Sequence, residues 1–168
     1  TDSGVSAGYG VRFFFIESSP PRQIIVGYNE PNGPAASNSL SRGAEIISVD
    51  GEAIVDSNNV DVLNAALFPT TVGESHTFVV RDLNATEDRT FIMTSAETTT
   101  VPVKNITTLD VSGKKVGYLT FNAHIKPAET QLIDAITQLK ADNIEELVLD
   151  MRYNGGGYLT IAAELGYM

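Results

Sequence analysis

The sequence predicts a small, mostly β module with two helices, followed by an α/β segment that starts a parallel sheet without completing it. Three observations carry this. The first hundred residues alternate short β-branched and aromatic runs with Gly, Pro, Asn and Asp turns, the pattern of an antiparallel β module. Residues 116–151 then read strand, helix, strand. Between the two, residues 97–102 (Glu-Thr-Thr-Thr-Val-Pro) are polar, β-branched and closed by a proline, which reads as an extended connector. The expected division is therefore a first module over residues 1–102 and a second segment over 103–168.

The elements follow in order. Val11-Arg12-Phe13-Phe14-Phe15-Ile16 is a strand, closed by the turn Ser18-Ser19-Pro20-Pro21. Residues 23–28 form a second strand, broken at Asn32-Gly33-Pro34, and residues 35–40 suit a short helix. A third strand, residues 45–49, runs into Asp50-Gly51, a strong two-residue hairpin signal. A longer helix follows, with Ser57 or Asn58 as its cap and Pro69 just beyond its end. Val60, Leu63 and Leu67 fall on one face of it at i, i+3, i+7. Strands at 76–80 and 90–93 then flank the polar loop 83–88.

In the second segment, residues 116–121 form a strand. Pro127 opens a helix that runs to about Asp142, with Leu132, Ile133, Ile136 and Leu139 as its apolar face. Glu129 in its first turn and Lys140 in its last match the helix dipole. Residues 146–151 are nearly all apolar, as in a parallel strand buried on both faces. Asn154-Gly155-Gly156-Gly157 follows, then an apolar helical stretch from Tyr158 to Met168. One βαβ unit cannot cover both faces of a parallel sheet, so the expectation is a fragment whose remaining strands come from elsewhere.

Composition narrows the function. The 168 residues are 42% hydrophobic and 19% charged, enough to bury a core. A net charge of −10 argues against nucleic acid and anionic membrane surfaces as partners. Without cysteine there is no disulfide, thiolate metal site or cysteine nucleophile. No apolar run reaches the ~18 residues of a membrane span. The two histidines, His76 and His124, are too few and too far apart in sequence to suggest a metal site, and no cofactor is expected. His76 lies in a strand pattern and reads as a surface or packing residue; His124 follows a strand in a loop, a better place for acid–base work.

The strand–glycine loop–helix junction at 150–158 is the strongest chemical signal. Three glycines at the carboxyl end of a parallel strand let the backbone approach a ligand, and unpaired N–H groups at the next helix favour an anion. That anion is a phosphate or the oxyanion of acyl transfer; the loop reads equally as a tight left-handed turn that needs glycine for steric reasons alone. No Gly-Lys-Ser/Thr follows, and Thr160 stands where a dinucleotide fingerprint wants glycine or alanine. Asp150 and Arg152 are placed to brace the loop as an ion pair. A second signal is Gly8-Tyr9-Gly10-Val11, directly ahead of the Phe-rich strand. A loop of this kind turns backbone N–H groups toward a carboxylate while the strand accepts a peptide at its edge.

Together these pieces resemble a known family. Gly8-Tyr9-Gly10-Val11, Asn32-Gly33-Pro34-Ala35-Ala36 and residues 42–51 resemble a PDZ domain of the bacterial, circularly permuted type, with Ala44-Glu45 where a single Asp is usual. Val116-Gly117-Tyr118-Leu119 and the run Asp150-Met151-Arg152-Tyr153-Asn154-Gly155-Gly156-Gly157 resemble the start of the catalytic domain of C-terminal processing (tail-specific) serine peptidases. The resemblance covers nearly the whole chain.

The resemblance implies a serine nucleophile with a lysine, or less often a histidine, as its base, both downstream of Met168; these 168 residues alone are then inactive. It implies Gly156 as an oxyanion-hole donor, with Gly155 and Gly157 shaping the loop and Asp150, Arg152 and Asn154 as structural support. The PDZ-like module would bind protein or peptide C-terminal tails through Gly8, Tyr9, Gly10 and Val11. Phe13, Phe15, Val60, Leu63 and Leu67 are pocket candidates, although some of them must face the core. The family points to a periplasmic or otherwise extracytoplasmic location. The exposed edge of an unfinished sheet also invites a strand-exchanged dimer. The rival expectation is a non-catalytic PDZ scaffold protein with a degenerate second segment.

Overall fold

The computed structural model describes residues 3–168; Thr1 and Asp2, with which the expected first module opens, lie outside them. The fold is mostly β and divides into two compact units, one of Val5–Thr100 and one built on Val101–Met168.

The first unit holds β1 (Val5–Gly8), β2 (Val11–Glu17), β3 (Gln23–Asn29), α1 (Pro34–Ser37), β4 (Glu45–Val49), β5 (Glu52–Ala53), α2 (Val60–Leu67), β6 (Ser75–Arg81), β7 (Asp88–Thr94) and β8 (Ala96–Thr99). The main sheet has the order β2-β3-β4-β6-β7, with β5 pairing with β4, and every pairing in it is antiparallel. Alternation decides which residues point inward. Ile24 and Val26, Phe78 and Val80, and Met93 form the core with Leu63, Ala66 and Leu67 of α2. Asp50 (φ 50°) and Gly51 (φ 83°) are both left-handed, as a two-residue hairpin matched to strand twist requires. Asp50 also accepts the Thr77 N–H at 2.8 Å and contacts His76 Nδ1 at 2.6 Å.

Several sequence expectations change here. Part of the expected connector is strand: Thr98 in β8 stands opposite Ser6 in β1, forming a separate two-stranded sheet. Short polar runs such as Ala-Glu-Thr-Thr carry no hydrophobic period, so their pairing was not visible in sequence. The short helix ends at Ser37 rather than Leu40. The N-cap of α2 is Asn59, whose side chain makes no capping bond; Ser57 Oγ instead accepts the Asn59 N–H at 2.9 Å, just ahead of the helix. Of the predicted helix face, Leu63 and Leu67 are buried, whereas Val60, at the first turn, is 45% exposed.

The second unit holds β9 (Val103–Val111), β10 (Lys114–Phe121), α3 (Ala128–Ala141), β11 (Glu146–Asp150) and α4 (Leu159–Tyr167). Its sheet has the order β11-β10-β9; β10 and β11 are parallel, joined through α3, and β9 pairs antiparallel to β10. The nine-residue β9 was not expected. Its burial alternates over part of its length, but its apolar residues, Val103, Ile106, Leu109 and Val111, do not fall at every second position, and a polar run of that kind reads as loop. Leu119 and Phe121 of β10 pack with Leu132, Ala135, Ile136 and Leu139 of α3 and Ile161 of α4. A Cβ on Gly117 would lie 2.8 Å from Ile144 Cδ1 and 3.2 Å from Leu139, so a larger residue here would have to displace the ends of these two side chains.

Two expectations about burial are corrected in this unit. Ile133 is 48% exposed and lies off the buried face of α3, which Ala128 and Ala135 complete instead. β11 is not buried on both faces: Leu147 and Val148 are exposed, because β11 pairs only with β10 and ends the strand order. Among the described residues no helix is long and apolar enough to cross a membrane, and no group of His, Asp and Glu is arranged to hold a metal ion.

Candidate functional site

The parallel pairing of β10 and β11 brings both strand ends to one edge, and the loops that follow them meet there. At the end of β11, the Asp150 carboxylate is buried. Oδ1 accepts Arg152 N–H at 3.1 Å and Nε–H at 3.0 Å; Oδ2 accepts an Arg152 guanidinium N–H at 2.6 Å and the Tyr118 hydroxyl at 2.7 Å. Tyr118 Oη in turn accepts Thr120 Oγ1–H at 3.4 Å, and Thr120 Oγ1 accepts Asn105 Nδ2–H at 3.1 Å. The bonds from Arg152 and then Tyr118 hold the Asp150 carboxyl well below the usual carboxylate range, outweighing the opposite effect of burial. Asp150 raises Arg152 reciprocally. The pair is thus a permanent ion pair that braces the strand end, and its acid is unsuited to proton transfer near neutral pH.

Beyond it the chain makes the glycine loop, which is fastened to the loop after β10. His124 N–H donates to Gly156 O at 3.0 Å, and Tyr158 N–H donates to His124 O at 2.9 Å, an isolated parallel bridge. Asn154 adds side-chain bonds: Nδ2 donates to Phe121 O at 3.0 Å, and Oδ1 accepts Gly156 N–H at 2.8 Å and lies 2.9 Å from His124 Nδ1. Gly157 has φ +137°, and a Cβ there would stand 2.2 Å from His124 O. Glycine is therefore obligatory at 157, while at Gly155 a Cβ would meet nothing within 4 Å.

This geometry redistributes the expected roles. The Gly156 N–H, expected to be the anion donor, is already bonded to Asn154 Oδ1. Among the described residues, the amides of Gly155 and Gly157 donate to no acceptor. Asp150 and Arg152 bond to each other at the end of β11, and Asn154 bonds to Phe121 O and the Gly156 amide. Tyr118 and the bonding role of His124 were missed; the signal available was register, since Tyr118 in β10 lies two positions short of Thr120, the residue paired with Asp150, and so on the same face.

In the first unit, Gly8 ends β1 and Val11 opens β2, with Tyr9 and Gly10 between them. Tyr9 O and Gly10 O accept the N–H groups of Ala35 and Glu30, at 2.9 and 2.7 Å. The Tyr9 and Gly10 amides donate to no acceptor among the described residues. The Tyr9 ring is buried edge-on to Phe78, 5.4 Å between centroids, and its hydroxyl donates to Ala66 O of α2 at 2.9 Å. Burial, with Asp50 and Glu74 adding to it, raises the Tyr9 phenol far above its ordinary value. β2 is an edge strand of the main sheet. Phe13 is buried in the core, whereas Phe15 is exposed and stacks on Phe68, with centroids 6.1 Å apart. Phe68, the C-cap residue of α2, also meets Phe13 edge-on at 6.2 Å. The one sign of Phe68 in the sequence is its place as an aromatic between a helix end and Pro69.

Residues 115–168, which hold β10, α3, β11, the glycine loop and α4, match the family model of peptidase family S41. The likeness to peptidase family S41 rests on this segment. The S41 segment contains every residue of the fastened loop described above. Curated relatives extend the likeness to the first unit. The carboxyl-terminal-processing protease of Picosynechococcus sp. is 27% identical over 165 residues, covering 97% of this chain and 38% of the relative. The chloroplastic C-terminal processing peptidase of Tetradesmus obliquus is 27% identical over 182 residues, covering 99% of this chain and 37% of the relative. The chain thus spans under two fifths of the length of these curated relatives. The solved photosystem II D1 C-terminal processing protease shares the fold: TM-score 0.67 at 24% identity, covering 100% of this chain and 45% of that one.

Proposed function

We propose that this chain is the tail-binding and oxyanion-side portion of a C-terminal processing serine peptidase. The observation that carries the reading is the S41 glycine loop, fastened at both Asn154 and His124 while the Gly155 and Gly157 amides remain available. In this reading those amides, rather than that of Gly156, receive the carbonyl oxygen of the scissile peptide as it gains charge. Donors fixed before the reaction are worth most there, because nothing has to reorganise as the charge develops. Asp150 and Arg152 hold the strand end from which the loop springs. The nucleophilic serine and its base come from sequence beyond these 168 residues, in line with the share of the relatives that the chain spans.

The first unit is read as a PDZ-like module. The Tyr9 and Gly10 amides meet a terminal carboxylate, and the free edge of β2 adds the tail as a further strand. Phe15 and Val60, being exposed, are its accessible pocket residues; Phe13, Leu63 and Leu67 support them from the core. The whole protein is placed in an extracytoplasmic compartment. A second partner follows from the open side of β11: another copy of the chain, adding a strand there.

The test compares short peptides with free and amidated C-termini, read by backbone amide shifts. Free carboxylates should move Tyr9 and Gly10 and amidated peptides should not. If neither form moves residues 8–11, the tail-binding assignment falls.

A further inference from the structure

We propose that His124 is the positioning residue of the glycine loop: held as its Nδ1–H tautomer, it fixes the Asn154 carboxamide and thereby turns the Gly156 amide inward. The proposal rests on the reading of this loop as the oxyanion side of the site.

The protonation state follows from donor and acceptor logic. Asn154 has one oxygen and one nitrogen at its end, and two backbone partners identify them independently. The nitrogen faces a carbonyl, Phe121 O, at 3.0 Å; the oxygen faces an amide, Gly156 N–H, at 2.8 Å. Exchanging the two ends would set donor against donor and acceptor against acceptor. The atom 2.9 Å from His124 Nδ1 is therefore an acceptor, and Nδ1 carries the proton. In the neutral imidazole, Nε2 is then a bare lone pair. The ring is 7% exposed and tilts against Phe121, with centroids 4.4 Å apart, so it has little freedom to turn the other nitrogen to Asn154.

The consequence is directional. Asn154 Oδ1 receives two N–H groups, from His124 and Gly156, that hold it from two sides. Without the His124 donor, Oδ1 is held by Gly156 alone and the carboxamide is anchored only through Phe121. The backbone bonds at His124 N and O can form with any side chain at 124, so they keep the loop attached whatever is substituted. The side chain adds the aim of one particular amide. The loop then has a fixed division of labour: Gly156 is tied inward and Gly155 and Gly157 are left for a ligand oxygen.

The experiment uses this chain labelled with 15N at histidine and along the backbone. Long-range proton–nitrogen correlation near neutral pH should show His124 protonated at Nδ1; an Nε2–H tautomer would overturn the proposal. Two variants follow. His124→Phe fills the ring volume without a donor, and Gly156 amide exchange should speed about five- to tenfold, the loss of one ordinary hydrogen bond. His124→Asn places a side-chain N–H near the position of Nδ1 and should restore slow exchange at Gly156. Equal exchange in wild type and His124→Phe would overturn the proposal, and so would equal acceleration in both variants, which would reduce His124 to a packing residue. None of these readouts needs a substrate. They stand or fall apart from the oxyanion reading, which is tested by whether substrate carbonyl mimics shift Gly155 and Gly157.

Discussion

At the scale of single residues, Asp150 and Gly157 tie charge and backbone shape to the same loop. Asp150 has a depressed carboxyl in the folded chain because Arg152 and Tyr118 bond its ionised form. A carboxyl depressed on folding contributes stability that is fully present above its unfolded value, about 3.9, and is lost as pH falls through the folded value. Thermal midpoints measured from neutral pH downward should therefore drop below about pH 4. Asp150→Asn should lower the neutral-pH midpoint and flatten that acid limb; an unchanged limb would show that the ion pair has no part in it. Gly157 works through sterics. Gly157→Ala puts a Cβ onto His124 O at a left-handed φ and should cost about 3 kcal/mol locally. The Tyr158 amide, bonded to His124 O, should then exchange at least about a hundredfold faster. Gly155→Ala, with open space around its Cβ, is the matched control and should leave that exchange within about twofold of wild type.

At the scale of elements, α3 shows what periodicity tells and what it leaves open. Leu132, Ile136 and Leu139 were legible as a face, and they are buried. Ile133 matched the same i, i+3 arithmetic with Ile136, but small residues, Ala128 and Ala135, let the sheet approach from the other side of the stripe. Leu132→Ala should cost about 2–5 kcal/mol and Ile133→Ala less than about 1, measured by denaturant unfolding. Comparable costs would mean that the helix is rotated from the orientation described. The same contrast explains which strands could be seen. β3, β4 and β10 carry runs of large apolar residues and were found nearly to the residue; β1, β8 and β9 are held by pairing, with little buried apolar surface of their own. The glycine loop was legible as a site because its composition is extreme. The atoms that fasten it were not, because the meeting of Asn154 with His124 and Phe121 depends on the parallel register of β10 and β11, a relation between segments about 30 residues apart in sequence.

At the scale of the whole molecule, the open sides of the two sheets are where the proposed second copy would add its strand. The edge strands differ in protection. β7 carries Asp88 and Arg89, charges that discourage strand addition, and β2 is the edge proposed to take the substrate tail. β11 offers Leu147, Val148 and Leu149 in succession, with no lysine, proline or bulge, and pairs on one side only. Against this stands the net charge of −10, which repels a second copy at long range and is screened as salt rises. The two effects oppose each other in a way that salt separates. Sedimentation at several protein concentrations should show a dimer that grows with concentration and is stronger at about 0.5 M than at about 0.05 M salt, where the screening length is several times longer. Val148→Lys puts a charge on the bare edge and should weaken that dimer at least about tenfold, or 1.4 kcal/mol. Because Val148 is exposed, the unfolding midpoint should hold. A monomer at every concentration and salt, or a dimer indifferent to Val148→Lys, would remove β11 as the contact.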